Sequence, residues 1–239
     1  MDTGEDQELV DDLFETGISS YLDVNEDDAL RVLNRAVTLW CEEEALHQMA
    51  HHGSAADLDQ MSLLETAADN FEGFDEIVEA HSFDDAAKQG VEAAVVKQLA
   101  MQATWPTVTD NDRLNLAFKA LQSGGIHAVD DLCCSNCGHD LLAKDVTESK
   151  DLRGYAFWVG QYDVAEPGEK HDLHIYFGAP IHDAEAFTGI GREVAAALRA
   201  EGLTVRWDED PSNSIKVMFE WRLRWQPDAE PGTRIARAT

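Results

Sequence analysis

A chain of 239 residues is long enough for one large domain or two small ones, and 44% hydrophobic residues can build a real core. With 47 acidic against 18 basic side chains and a formal charge of −29, it lacks the clustered Lys and Arg that neutralise phosphates, which excludes general affinity for DNA, RNA or anionic lipid. No run approaches the ~20 apolar residues of a membrane helix, and the acidic start Met1–Asp12 has neither the positive charge nor the apolar stretch of a signal peptide, so the expected location is the cytoplasm.

In chain order, Leu9, Val10, Leu13 and Phe14 form a short apolar stripe. A longer helix is predicted from Glu26 to Met49, because Leu30, Leu33, Val37, Trp40 and Cys41 recur at spacings of three and four. Ser54 to Phe71 carries Leu58, Met61, Leu64 and Phe71 in the same rhythm. Ser82 with Asp85 resembles a capping box opening a helix through Met101, with Val91, Ala94, Val95 and Leu99 on it. These segments predict an N-terminal helical bundle over residues 1–104. Pro106, in Thr104-Trp105-Pro106-Thr107, discourages its continuation.

A second texture follows, and residues 108–225 are expected to form an α+β domain. Thr109 and Asp112 are a second capping pair, Leu114, Ala117, Phe118 and Leu121 make a helical face, and Gly124-Gly125 ends it. A strand is predicted at Ile126 to Val129, then a cysteine-rich loop. Tyr155 to Val159 and Leu173 to Phe177 alternate with period two, so both read as strands, and Glu166-Pro167-Gly168 supports a hairpin between them. Asp183 to Ala200 is predicted helical, with Phe187, Ile190, Val194 and Leu198 inward and Gly202 at its end. Leu203 to Trp207 and Ile215 to Trp221 read as strands around the turn Asp208 to Asn213, and residues 226–239 as a flexible tail. The expected fold class is α+β: an N-terminal helical bundle followed by an α/β sandwich, its mostly antiparallel sheet carrying helices on one face.

The charge balance admits three origins: a surface that stays hydrated and self-repelling in salt, an acidic face that occupies a basic protein's site, or a site for multivalent cations. The second makes a basic protein the expected partner.

Cys133-Cys134-Ser135-Asn136-Cys137-Gly138-His139 is the most specific local feature. Two residues separate Cys134 from Cys137, a spacing that turns two thiolates toward one tetrahedral ion such as zinc. Cys133 and His139 are the candidate further ligands, with His127, His171 and His174 as other completions. The same thiols also suit a redox pair, or buried cysteines acting as small apolar residues. A thioredoxin-like placement needs the pair to follow a strand and open a helix within a βαβ unit; Asp140-Leu141-Leu142 could begin a helix, but the unit is otherwise absent.

Other features are weaker. His47 and His51 stand one helical turn apart, but Gln48 occupies the place where a metalloprotease needs Glu. Gly189-Ile190-Gly191 falls inside a helix rather than before one, which indicates close packing instead of a phosphate cradle. Gln161, Asp163, His171, His174 and Tyr176 could line one sheet edge for acid–base chemistry. Arg206, Lys216, Arg222 and Arg224 gather scarce positive charge, either to pair with carboxylates or to receive an anion or partner.

Residues 112–222 resemble a domain family of unknown function from actinobacteria and related bacteria. The resemblance is carried by Asp112-Arg113-Leu114 through Phe118, Gly125-Ile126, the cysteine cluster, Gly154-Tyr155-Ala156-Phe157, Gln161 and Asp163, and Leu173 to Gly178. It continues through Ile190-Gly191-Arg192-Glu193, Leu198 to Leu203, Trp207-Asp208 and Pro211-Ser212. The stretch before Gln161 departs from the polar character of that family, being Trp158-Val159-Gly160 here. The resemblance implies a domain boundary and no activity. Two roles follow: a non-enzymatic protein-binding or regulatory module, or a zinc- or thiol-dependent protein using Cys133, Cys134, Cys137 and His139.

Overall fold

The computed structural model describes residues 26–51, 63–64, 82–160, 168–180 and 184–226. The stripe at Leu9–Phe14, most of the segment Ser54–Phe71, Gln161 and Asp163, the Glu166-Pro167 turn and the tail beyond Gln226 lie outside them. The chain divides into two compact units, one of Met1–Thr104 with Trp225–Thr233, the other of Trp105–Arg224 with Arg234–Thr239.

In the first unit, α1 (Glu26–His51) and α2 (Asp84–Gln102) pack together. Val32, Leu33, Ala36, Val37, Cys41, Ala45 and Met49 bury one stripe of α1 against Phe83, Ala86, Ala87 and Ala94. Leu63, Leu64 and Trp225 join that core. Gln102 clasps Trp225: its Oε1 accepts from the Trp225 N–H at 2.6 Å, and its Nε2 donates to the Trp225 carbonyl at 3.2 Å. The expected capping box at Ser82 and Asp85 is not what opens α2. The helix starts one residue later than that box requires, with Phe83 at the cap and Ser82 Oγ bonded to Asp84 instead.

The second unit is a five-stranded sheet with helices on both faces. Its elements run α3 (Asp110–Ser123), β1 (Ile126–Leu132), α4 (Ser135–Glu148), β2 (Gly154–Val159), β3 (Lys170–Gly178), α5 (Ala184–Ala200), β4 (Thr204–Arg206) and β5 (Ile215–Glu220). The strand order is β1-β2-β3-β5-β4. All pairings are antiparallel except β1 with β2, which run parallel from Ile126↔Gly154.

The capping box at α3 forms as its residues predict: Thr109 Oγ1 accepts from the Asp112 N–H at 3.2 Å, and Asp112 Oδ2 accepts from the Thr109 N–H at 2.8 Å. The same helix start also holds the chain around the end of β5, where Asp110 Oδ2 accepts from the Glu220 N–H and Asn111 Oδ1 from the Arg222 N–H. Helices α3 and α5 cover one face through Leu114, Phe118, Leu121, Ile190, Val194 and Leu198, against Ala156, Trp158, Ile175, Val217 and Phe219. Gly191 makes that approach possible, since a methyl there would overlap Phe177 and Trp207. Gly191 therefore serves packing, as its place inside the helix indicates, while a methyl at Gly189 would meet nothing within 4 Å.

Two expectations are corrected. What reads as a cysteine loop between strands is the opening of a 14-residue helix, α4. That helix is the crossover that parallel neighbours require. It also covers the opposite face of the sheet, packing Leu142 and Val146 on Tyr155, Phe157 and Val159, so helices do not lie on one face alone. Strand β2 is consequently buried at every position, and its alternation in sequence separates two cores rather than core from solvent.

Candidate functional site

Strand β1 delivers the cysteines. Its register with β2 slips between Val129 and Leu132, and there Asp131 takes a left-handed conformation, φ 55°. The Asp131 carboxylate fills the space that a side chain at Gly160 would need. The chain leaves the sheet through Cys133, and Cys134 becomes the N-cap of α4, extended at φ −160° and ψ 163°. The Cys134 sulfur accepts from the Cys137 N–H at 3.3 Å, doing with sulfur what a serine oxygen does at most helix starts. The Sγ atoms of Cys133, Cys134 and Cys137 all lie within 4.8 Å of one another, and all three thiols are free. Cys133 and Cys137 are exposed and Cys134 is half-buried.

The electrostatics follow from this crowding. Hydrogen bonds from the Cys137 side chain and then its backbone N–H hold the Cys134 thiol below its ordinary value. Cys137 shifts the opposite way: the side chains of Cys134 and then Cys133 push its thiol up to about 11. The Cys134 sulfur, which accepts from the Cys137 N–H, sits at the positive end of a helix dipole, and that favours its deprotonated form.

Beneath the first turn, Gly138 lies directly on the ring of Phe157, where a methyl would overlap three ring atoms. His139 is not part of the sulfur group. It shares the sheet-facing side of α4 with Gly138: its Nδ1 is 2.9 Å from the Tyr155 hydroxyl, and its ring packs edge-on against Tyr155, Phe157 and Tyr176. Burial lowers the His139 pKa, against the pull of Asp140, and burial pushes the Tyr155 hydroxyl up to about 12. The pair is a part-buried, hydrogen-bonded contact between the first turns of α4 and strand β2. Sequence reasoning missed Tyr155 in this role. The signal available was the unbroken apolar run Gly154–Val159, which marks a strand covered on both sides and hence a helix over the thiol side.

The thioredoxin-like placement, set aside for want of a βαβ unit, has its local requirements met: Cys134 and Cys137 follow β1 and open α4, which crosses to the parallel β2. A family model for a domain of unknown function, DUF6891, matches residues 41–225. The chain belongs to this family. The match begins at Cys41 inside α1, so the DUF6891 region takes in most of the helical half as well as the α+β half, a wider span than residues 112–222. No curated protein matches the chain, and no solved structure does.

The remaining candidates gather less. His47 lies exposed on α1, and the side chain of His51 is outside the described residues. His174 stands on β3 with Nδ1 3.1 Å from Ser214 Oγ, and Asp163 is outside the described residues. A polar cavity of about 160 Å³ opens elsewhere, lined by Asp110, Arg113, Lys170, Met218 and Glu220 among others, and His174 is not in its wall. Three of the four clustered cations pair with carboxylates, as Arg206–Asp172, Arg222–Glu220 and Arg224–Asp112.

Proposed function

We propose that this DUF6891 protein binds a metal ion on the thiols of Cys133, Cys134 and Cys137. The convergence of three sulfurs within 4.8 Å at one helix start carries the reading. A zinc–sulfur distance of ~2.3 Å in tetrahedral geometry places bound sulfurs roughly 3.8 Å apart, within reach of small rotations of exposed thiols. The helix end offers backbone N–H groups that stabilise thiolates, and a cation relieves the competition that keeps the Cys137 proton in place. His139, whose Nδ1 pairs with the Tyr155 hydroxyl, lies outside the three-sulfur group. Elemental mass spectrometry on untagged protein tests the reading, with a Cys134→Ser, Cys137→Ser variant beside it. About one ion per chain, lost in the variant, is the expected result. An ion-free protein that takes up no soft metal when reduced would remove it.

The split between a lowered Cys134 and a raised Cys137 favours a second reading, thiol–disulfide exchange. The Cys134 thiolate attacks a small-molecule disulfide and expels one thiolate. The Cys137 thiolate then attacks the Cys134 sulfur and expels the other, so one protein disulfide forms as the external one becomes two thiols. Equilibration with glutathione buffers, followed by alkylation and mass analysis, would place or exclude a Cys134–Cys137 disulfide. The partner reading rests on charge alone. In the α+β unit some carboxylates pair locally, as Glu193 with Arg153 and Glu209 with Arg192. A basic protein as partner would show as a complex that dissolves on adding salt.

A further inference from the structure

We infer that the ion this centre takes is a soft, thiophilic one of low coordination number, the copper(I) class, held by three thiolates at the surface and exchanged there. The inference rests on the metal reading above and names its ligand. Thiolates select soft ions. Three of them complete a trigonal sphere for copper(I), whereas a structural zinc site needs four donors.

Three observations point the same way. All three sulfurs belong to one five-residue stretch, Cys133 to Cys137, so no distant element has to be drawn in to close the set. Two of the three thiols are exposed, so an incoming thiol or chelator can reach the ion without opening the fold. The helix that carries two of them is anchored by packing of its own. Helix α4 is seated by Leu142, Val146 and the contact of Gly138 with Phe157, and its first turn is capped by Cys134. A site on a helix anchored by apolar packing can load and unload, unlike a structural zinc centre, where binding energy is folding energy. The bound complex carries excess negative charge, which the N–H groups of the α4 N-terminus offset.

The test uses the full chain, reduced and kept free of oxygen. Copper(I) is titrated against a chromophoric copper(I) chelator, zinc-loaded protein is challenged with copper(I), and X-ray absorption counts the sulfurs around the copper. The expected outcome is one copper per chain in a three-sulfur shell, release of zinc on challenge, and a fall in affinity of about tenfold or more for each of Cys133→Ser, Cys134→Ser and Cys137→Ser. The sulfur count on unaltered protein stands even where a variant folds poorly. Zinc that stays bound against copper(I), or a copper shell of two sulfurs with Cys133→Ser silent, would overturn this inference and leave the metal reading in place. Failure of both ions to bind would overturn both.

Discussion

The seat of α4 on the sheet can be tested by adding one carbon atom. Gly138→Ala places a methyl against the Phe157 ring, and that ring cannot yield. It is fully buried, stacked on Tyr176 at 5.2 Å between centroids and met edge-on by His139 at 5.1 Å. Overpacking of this kind costs up to ~3 kcal/mol, while alanine recovers ~1 kcal/mol of helix propensity over glycine, leaving a net loss of about 2 kcal/mol. Gly189→Ala is the internal control. Gly189 lies inside α5, and a methyl added there meets nothing within 4 Å, so the substitution gains about 1 kcal/mol of propensity with no packing cost. The two variants should therefore separate by about 3 kcal/mol in opposite directions from the parent. Urea unfolding followed by far-ultraviolet circular dichroism and tryptophan fluorescence reads the shift at unchanged denaturant dependence. A Gly138→Ala protein as stable as the parent would refute the seat of α4 on Phe157 and, with it, the placement of the cysteine turn above His139 and Tyr155.

Three further outcomes follow from the same geometry. Thr109→Ala removes the reciprocal cap of α3 and should cost about 1 kcal/mol by the same assay, whereas a silent substitution would mean the box contributes nothing. Iodoacetamide should label Cys134 before Cys137 at neutral pH, because one thiol sits below its ordinary value and the other is pushed up to about 11; equal rates across the pH range would remove the shared hydrogen bond. Arg153 holds the Glu193 carboxyl below the usual carboxylate range, so its contribution is present above the unfolded value and lost as pH falls through the lowered folded one. Since both partners are nearly half exposed, Glu193→Gln should flatten the acid limb of a stability–pH curve by less than ~1 kcal/mol, and an unchanged limb would assign that slope to other carboxylates.

Much of the fold was legible where local chemistry and tertiary packing agree. Thr109 and Asp112 wrote the start of α3, and the spacing of Ile190, Val194 and Leu198 wrote the buried face of α5. Helix α4 was legible only as a possible helix from Asp140-Leu141-Leu142, and its cysteine start was not, for physical reasons. Its cap is a cysteine rather than Ser, Thr, Asp or Asn, and its buried face holds only Gly138, Leu142 and Val146, one residue per turn, while Leu141 faces solvent. A glycine that buries by having no side chain leaves no mark in a hydrophobic pattern. The cysteines were legible as a cluster. Their convergence was not, because it depends on Cys134 adopting the extended cap conformation. Ser82 with Asp85 failed the other way: the pattern was present, and Phe83, buried in the helical core, moved the helix start by one residue.

In this domain the atom that caps the start of a helix is a cysteine sulfur. A helix started by serine begins at the same residue in every chemical state of its surroundings. Here the lone pairs of one sulfur answer two demands, the Cys137 amide and whatever reagent or ion arrives from solvent. Each event at that sulfur therefore changes the grip on the first turn of α4, and α4 lies across the outer side of β1, β2 and β3. The cap thus ties the chemistry of one side chain to the start of a helix that packs on three strands.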